Sequence, residues 1–348
     1  MNLFDKYLEE SESLFIDEIS LDPDFIPKEI PHRENQQHYI AECISPLFQK
    51  RSGKNLLITG KPGIGKTLAI KHIFMELESK TDEITPIYIN CWKKDSSFKI
   101  LNEIADQINY KWTHNKRTDE LMKIISDILN KKSVVFCLDE IDKVREIDIL
   151  YSITEDIPKK TILLITNDHE WISKLDQRIR SRLSLEHLDF HPYTYGETKS
   201  ILKMRKDLAF QRNIFNQDAL ELITNKTFAL KDIRTGLALL KESGNIAERK
   251  LSKQINMEHT TEAINKLLET EKKDLTPEEK NILDIAKNNS GKTIKEIYDI
   301  YVKQGGDKTY TTLYRKLSDL QKNAMLDIKN IGGTSSSTVH YRKKLTDF

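Results

Sequence analysis

The chain has 348 residues, enough for two or three domains of about 100–200 residues each, and 38% are hydrophobic against 31% charged. Lys and Arg number 55 and Asp and Glu 54, a net charge of +1, so attraction to nucleic acid has to come from local patches. No apolar stretch approaches the roughly 20 residues of a membrane span, and the acidic start lacks the basic and apolar segments of a secretory signal. The expectation is an intracellular protein with no membrane partner. Cys43, Cys91 and Cys137 have no metal-ligand spacing, and two of them sit inside apolar runs that read as strands, where Cys behaves as a small buried hydrophobe.

In chain order, residues 1–30 are acidic and irregular, and Pro23, Pro27 and Pro31 punctuate an extended lead-in. A helix is predicted from Glu34 to Lys50, with Ile40, Ile44 and Leu47 on its buried face. Strands and helices then alternate to Pro192. Short apolar runs stand at Asn55–Thr59, Ile84–Asn90, Ser133–Leu138 and Thr161–Thr166, and Leu183–Phe190 is a fifth candidate strand. Nearly continuous apolar strands separated by helices predict an α/β domain whose parallel sheet is covered on both faces.

After Pro192 the pattern is all helical. Thr194 and Glu197 form a capping-box signature for a helix to Gln211, and further helices are predicted at Asn216–Asn225, Lys231–Glu248 and Thr260–Glu271. A charged stretch, Glu269–Asp274, marks the next boundary. Thr276, Pro277 and Glu279 then supply an N-cap, a proline at the first helical position and a capping-box acid. Helices at Pro277–Asn288, Thr293–Gln304 and Tyr310–Asn323, followed by two strands within Met325–Arg342, describe a winged helix-turn-helix. The expected domains are a 1–30 extension, a 31–193 base, a 194–272 helical lid and a 273–348 winged helix.

The chemistry is concentrated in Gly60-Lys61-Pro62-Gly63-Ile64-Gly65-Lys66-Thr67, which matches G-x4-G-K-[ST] between a strand and a helix. Gly60, Gly63 and Gly65 let successive backbone N–H groups turn inward and cradle phosphate oxygens at a helix N-terminus. Lys66 is expected to reach the β- and γ-phosphates of ATP, and the Thr67 hydroxyl to ligate Mg²⁺. Downstream, an apolar run ends in Asp139 and Glu140. Alone these could be a solvated strand end. Behind a phosphate loop, Asp139 reads as a metal ligand and Glu140 as the group that polarises the attacking water. Asn167 ends the following run; it is either a turn residue or, if the two strands are neighbours, a partner of Glu140 in orienting water.

These motifs, with Ile30-Pro31-His32-Arg33-Glu34-Asn35-Gln36, Ile89-Asn90-Cys91, Leu138 to Asp142, Leu150-Tyr151, Phe190 to Thr194, and Asp232-Ile233-Arg234 before Leu237 to Leu240, resemble the Orc1/Cdc6 family of archaeal replication initiators over almost the full length. The resemblance implies an AAA+ ATPase with a parallel-sheet P-loop domain, an all-helical lid and a C-terminal winged helix, bound to ATP or ADP with Mg²⁺. It implies sensor roles for Asn167 and Arg234, the latter touching the γ-phosphate from the lid. It also implies an arginine finger, Arg182, offered to a neighbouring subunit. Pro31, His32 and Arg33 would line the adenine pocket, and Pro62, Ile64, Leu68, Tyr193 and Arg205 would complete the nucleotide site. Lys231 departs from the family pattern, standing where a small residue is usual. The insertion Trp92–Arg117, with Lys93, Lys94, Lys99, Lys111, Lys116 and Arg117 among aromatics, resembles an element that touches DNA, although Trp112 could instead be core.

At the C-terminal end cations barely outnumber acids, a weak electrostatic footprint for DNA. The third helix nevertheless opens with Lys308, Thr309, Tyr310 and Thr311 and continues to Arg315 and Lys316, hydroxyls and cations suited to a major groove. Gly333 and Thr334 form a small polar hairpin tip, and Arg342 and Lys343 lie on the outgoing strand. A winged helix serving only as a protein contact is the competing reading. The implied partners are double-stranded origin DNA, the replicative helicase and other copies or paralogues on DNA, in a cytoplasmic, nucleoid-associated protein. Two alternatives remain: a nucleotide-regulated DNA-binding regulator that loads nothing, and a clamp-loader-like remodeller of proteins.

Overall fold

The computed structural model describes residues 13–273, 276–322, 326–330 and 337–341. The chain divides into two compact units, Met1–Thr260 and Thr261–Phe348. In the first, strands β1 (Leu56–Thr59), β2 (Ile84–Asn90), β3 (Ser133–Asp139), β4 (Lys160–Thr166) and β5 (Glu186–Asp189) form one sheet in the order β2-β3-β4-β1-β5, with every pairing parallel. The strands are apolar on both sides because both faces are covered. Leu57, Val134, Phe136 and Leu138 pack beneath helices Ser97–Gln107, Thr118–Leu129, Asp148–Asp156 and Gln177–Leu183. Leu56, Ile58, Val135 and Cys137, the alternate residues, pack against helices Glu34–Ile44 and Lys66–Lys80. The three cysteines are buried, as the apolar runs around two of them predict.

The chain leaves the carboxyl ends of β1, β3 and β4 side by side, where ligands bind in open α/β sheets. That is how three segments far apart in sequence come to share one site.

One helix is shorter than expected. The α-helix Glu34–Ile44 gives way to a 3-10 turn, Ser45–Gln49, which carries Pro46 near its start. Proline has no N–H to continue an α-helical ladder, so the break falls there.

The lid follows as helices Tyr195–Ala209, Gln217–Leu230 and Ile233–Arg249, and the next helix, Met257–Lys273, runs on past the end of the first unit at Thr260. The capping box is present, with Thr194 and Glu197 bonding reciprocally. Lys231 lies in the left-handed region at φ 57° and ends the helix Gln217–Leu230, a position where glycine carries the least strain. Its backbone N–H reaches Thr227 O at 2.9 Å, so the lysine adopts the turn the family pattern gives to a small residue. From Ser13 onward the lead-in is not loose either. Phe15 bridges to Phe210 with their rings 4.6 Å apart, and Gly244 leaves room for the Phe15 ring.

The second unit, described by itself, holds helices Pro277–Asn288, Ile294–Lys303 and Tyr310–Lys322 and the antiparallel strands β6 (Leu326–Asn330) and β7 (Ser337–Tyr341). Thr276 and Glu279 form the expected capping box, and Thr293 and Glu296 form another. Leu313, Leu317 and Leu320 make one buried stripe against Ile282, Ile285, Ile297 and Tyr301, each leucine worth about 1.5–3 kcal/mol of burial. No helix among the described residues is long and apolar enough to cross a membrane.

Candidate functional site

β1 runs straight into the phosphate loop, and the helix Lys66–Lys80 starts where it ends. Gly60, Gly63 and Gly65 all have positive φ, at 143°, 71° and 90°, so the loop reverses direction with N–H groups free to converge. A Cβ at Gly60 would sit 2.5 Å from Phe190 O; this residue shapes the loop and does not line the cavity. Ile64 is likewise support, fully buried in the core under the loop.

Lys66 is 6% exposed. Its Nζ donates to Gly60 O at 2.7 Å, Lys61 O at 2.8 Å and Asn167 Oδ1 at 2.8 Å. All three acceptors are neutral, and burial, with the Arg234 and Arg33 charges nearby, pulls the ammonium down to about 8 against the opposing pull of Asp139 and Glu140. A phosphate oxygen is a stronger acceptor than any of the three.

Asp139, at the end of β3, is 4% exposed. Its Oδ2 accepts from Thr67 Oγ1 at 2.6 Å and from Tyr88 OH at 2.8 Å. Hydroxyl and carboxylate oxygens thus converge beside Lys66, a hard-oxygen donor pair that fits Mg²⁺ held jointly with phosphates. Glu140 follows in the left-handed region at φ 55°. Burial, then the charges of Asp139 and Asp142, raise its carboxyl above the ordinary range, the direction that makes a carboxylate a better proton acceptor. Asn167 stands on the same wall, at the end of the neighbouring strand β4.

These groups line a cavity of about 450 Å³. Pro62, Gly63, Gly65, Thr67, Leu68 and Tyr193 contribute to its wall, as do Arg205 and Arg234 from the lid. Of the apolar wall formed by the lead-in, only Pro31 was expected. Pro23, Pro27, Ile30 and Pro31 face Ile201, Met204 and Leu237 there, so the lead-in read as irregular forms a strap across the site. Arg205 fastens it, donating to Asp22 O at 2.9 Å and Phe25 O at 3.3 Å; burial lowers its guanidinium to about 10. His72 adds a second fastening through Lys28 O at 3.0 Å. Three prolines within nine residues were the sequence signal, since each fixes φ in advance. Tyr88 was also missed, because its role depends on pairing with β3.

Two expected adenine contacts are corrected. Arg33 is 4% exposed and off the cavity wall. It donates to Ile64 O at 3.0 Å and His191 O at 2.8 Å, and its guanidinium lies 3.9 Å from the centre of the Tyr193 ring. It clamps the back of the phosphate loop. His32 is also not among the residues that line it; the residue lies at φ 66°, and its Nε2 is buried without a hydrogen-bond partner.

Arg234 opens the lid helix Ile233–Arg249. Its Nη2 lies 2.8 Å from Asp232 Oδ2 and its Nε 3.1 Å from Oδ1, and this carboxylate raises the guanidinium above its ordinary value. Arg182 is not among the residues that line this cavity; it pairs with Glu155 at 2.7 Å and lies over the Tyr151 ring.

On the insertion, Trp92 is 66% and Trp112 78% exposed, so Trp112 is not core. Lys93 lines the nucleotide cavity, while Lys94 and Lys99 pair with Glu103 and Asp95. In the C-terminal unit, Lys316 is corrected. Its side chain is 16% exposed and sits 3.3 Å from both Glu278 and Glu279, bound inward. Lys308 pairs with Asp307 at 3.1 Å. Thr309 caps the helix start through Thr312 N, Tyr310 meets Tyr298 edge to face, and Thr311 and Arg315 are exposed. Gly333, Thr334, Arg342 and Lys343 lie outside the described residues.

Comparison with known proteins follows the same division. A family model for an AAA domain matches residues 49–168, and one for a Cdc6 AAA+ ATPase-type lid domain matches 199–265. An ORC1-type DNA replication protein 1 of Sulfolobus acidocaldarius is 30% identical over 322 residues, 86% of this chain and 81% of that protein. Its namesake from Sulfurisphaera tokodaii is 33% identical over 256 residues, 69% of this chain and 64% of the relative's length. The solved structure of the Aeropyrum pernix ORC1 protein in complex with DNA shares the fold at TM-score 0.69 and 22% identity, covering 97% of this chain and 96% of that one.

Proposed function

Since this chain belongs to the ORC1-type family of AAA+ ATPases, we propose that it is an ATP-switched replication initiator that recognises origin DNA and helps load the replicative helicase. The observation that carries the reading is the convergence of Lys66, Thr67, Asp139, Glu140, Asn167 and Arg234 on one cavity.

ATP phosphates would seat on the loop N–H groups, and Lys66 would exchange its three neutral acceptors for β- and γ-phosphate oxygens. Thr67 and Asp139 would hold Mg²⁺, which neutralises phosphate charge. Glu140 would take the proton of the attacking water while Asn167 orients it. Arg234 would reach the γ-phosphate from the lid, and Arg182 of a neighbouring copy or paralogue would complete the site. Hydrolysis in this reading is slow and ends a signal: the nucleotide sets the lid, and the lid sets the grip on DNA.

The domain assignment follows from that division of labour, with a base at 31–193, a lid at 194–272 and a winged helix at 273–348. The DNA surface comprises the exposed face of the helix Tyr310–Lys322, above all Thr311 and Arg315, with Lys308 and Thr309 before it. That DNA is the ligand at all is suggested by the Aeropyrum pernix ORC1 protein, of like fold and solved in complex with DNA. The protein would work in the cytoplasm at the nucleoid. Mapping the chromosomal sites it occupies tests the proposal. Occupancy concentrated at replication origins is expected; occupancy scattered over promoters would make it a regulator, and no DNA occupancy would favour the remodeller.

A further inference from the structure

The start of the lid helix touches the phosphate loop directly. Ile233 N–H donates to Gly63 O at 3.1 Å, and Asp232 is so close that a Cβ on Gly63 would lie 1.9 Å from its Oδ1. Asp232 therefore has three tasks at once. It caps the helix through Arg234 N at 2.9 Å, it lies against the loop, and it grips the Arg234 guanidinium through both oxygens. The last is more than capping requires, because an N-cap oxygen needs only the backbone N–H.

We infer that Asp232 is a positioning residue that competes with the γ-phosphate for Arg234, and so sets how strongly the site prefers ATP over ADP. The inference rests on the nucleotide-site reading above. Arg234, Lys66 and Glu140 line the same cavity, and the charge of Arg234 is felt at both of the others. The guanidinium is thus poised between two anions, the carboxylate at the helix start and a phosphate in the cavity. Both would take it by charge-assisted hydrogen bonds, and a ligand shifts such a balance only by its difference in affinity for the two arrangements. ADP has no γ-phosphate and leaves Asp232 in possession. ATP has to displace it, and part of its binding free energy is used in doing so.

The sequence pattern supports this reading. Aspartate and asparagine cap helices about equally well, yet only aspartate brings a charge for the arginine two residues on. Asp232→Asn therefore keeps the cap and the shape against Gly63 and removes the competitor.

The test is calorimetric titration of the full chain with ATP and with ADP, using wild type, Asp232→Asn, Arg234→Ala and the double variant. Asp232→Asn is expected to tighten ATP about fivefold, in the range of ordinary coupling between sites, while ADP changes less than twofold and reports an intact fold. In the Arg234→Ala background the gain should vanish. Equal shifts for both nucleotides, a weaker ATP affinity, or a gain that survives Arg234→Ala would overturn the inference. Wild-type protein that bound neither nucleotide would instead overturn the nucleotide site itself.

Discussion

Lys66 and Lys316 are both lysines turned inward beside a helix, and they have opposite fates. Lys66 is surrounded by neutral acceptors, two carbonyls and an amide, and burial depresses its ammonium to about 8. Lys316 is also partly buried, which alone would lower it, but Glu278 and Glu279 outweigh that and raise it. The first cation lacks a hydrogen-bonded anion and sits in a cavity; the second already has two. A cation becomes a binding group through the charge balance of its neighbours, and those neighbours come from elsewhere in the chain.

The contrast can be sharpened first at the chemical step. Glu140→Gln should keep ATP binding and lower turnover at least about 100-fold, the usual worth of a positioned base, read by single-turnover hydrolysis. Next is Arg182→Ala, which should bind ATP normally and lose most turnover only under conditions where copies assemble. Mixing it with Glu140→Gln should restore activity at shared interfaces, and normal turnover by Arg182→Ala alone on DNA would remove the finger role.

The C-terminal unit predicts smaller numbers. Arg315→Ala should cost about 1–3 kcal/mol of affinity for the preferred duplex if the side chain reads a base. If it meets only phosphate, loss should be similar on all sequences and the salt slope should fall by about one unit. Lys316→Ala should lower stability by about 0.5–1 kcal/mol, as for a surface-proximal ion pair, and leave that slope unchanged. A slope reduced by about one unit would break the comparison, because it would put Lys316 on a phosphate.

The smallest signal concerns protons. Lys66 titrates near 8 in the protein as it stands, and a bound triphosphate raises it. ATP binding above about pH 8 should therefore take up a fraction of a proton. At pH 6.5, where Lys66 is already charged, its contribution should disappear. Calorimetry in buffers of different ionisation enthalpy reads the difference.

What could be read in the sequence was what is local in the chain. The loop Gly60–Thr67, the acids after β3 and the capping boxes at Thr194 and Thr276 are spacings within a few residues, and the structure holds them as expected. The apolar spacing through Leu47 predicts a helix to Lys50, whereas the α-helix ends at Ile44, just before Pro46. The strap was harder. Pro23 to Pro31 gain meaning only when Arg205 and His72, from two different helices, fasten them over the cavity. Arg33 shows the same limit: it stands two residues from the cavity-lining Pro31, and only the fold reveals that its guanidinium bonds to the back of the loop.

The central claim is that Lys66 is a buried cation kept for phosphate, and titration of wild type and Lys66→Ala with ATP tests it most directly. Loss of a charged hydrogen-bond partner of this kind is worth about 1.5–3 kcal/mol, so the variant should bind ATP at least about tenfold more weakly. Equal affinity for the two proteins would contradict the account.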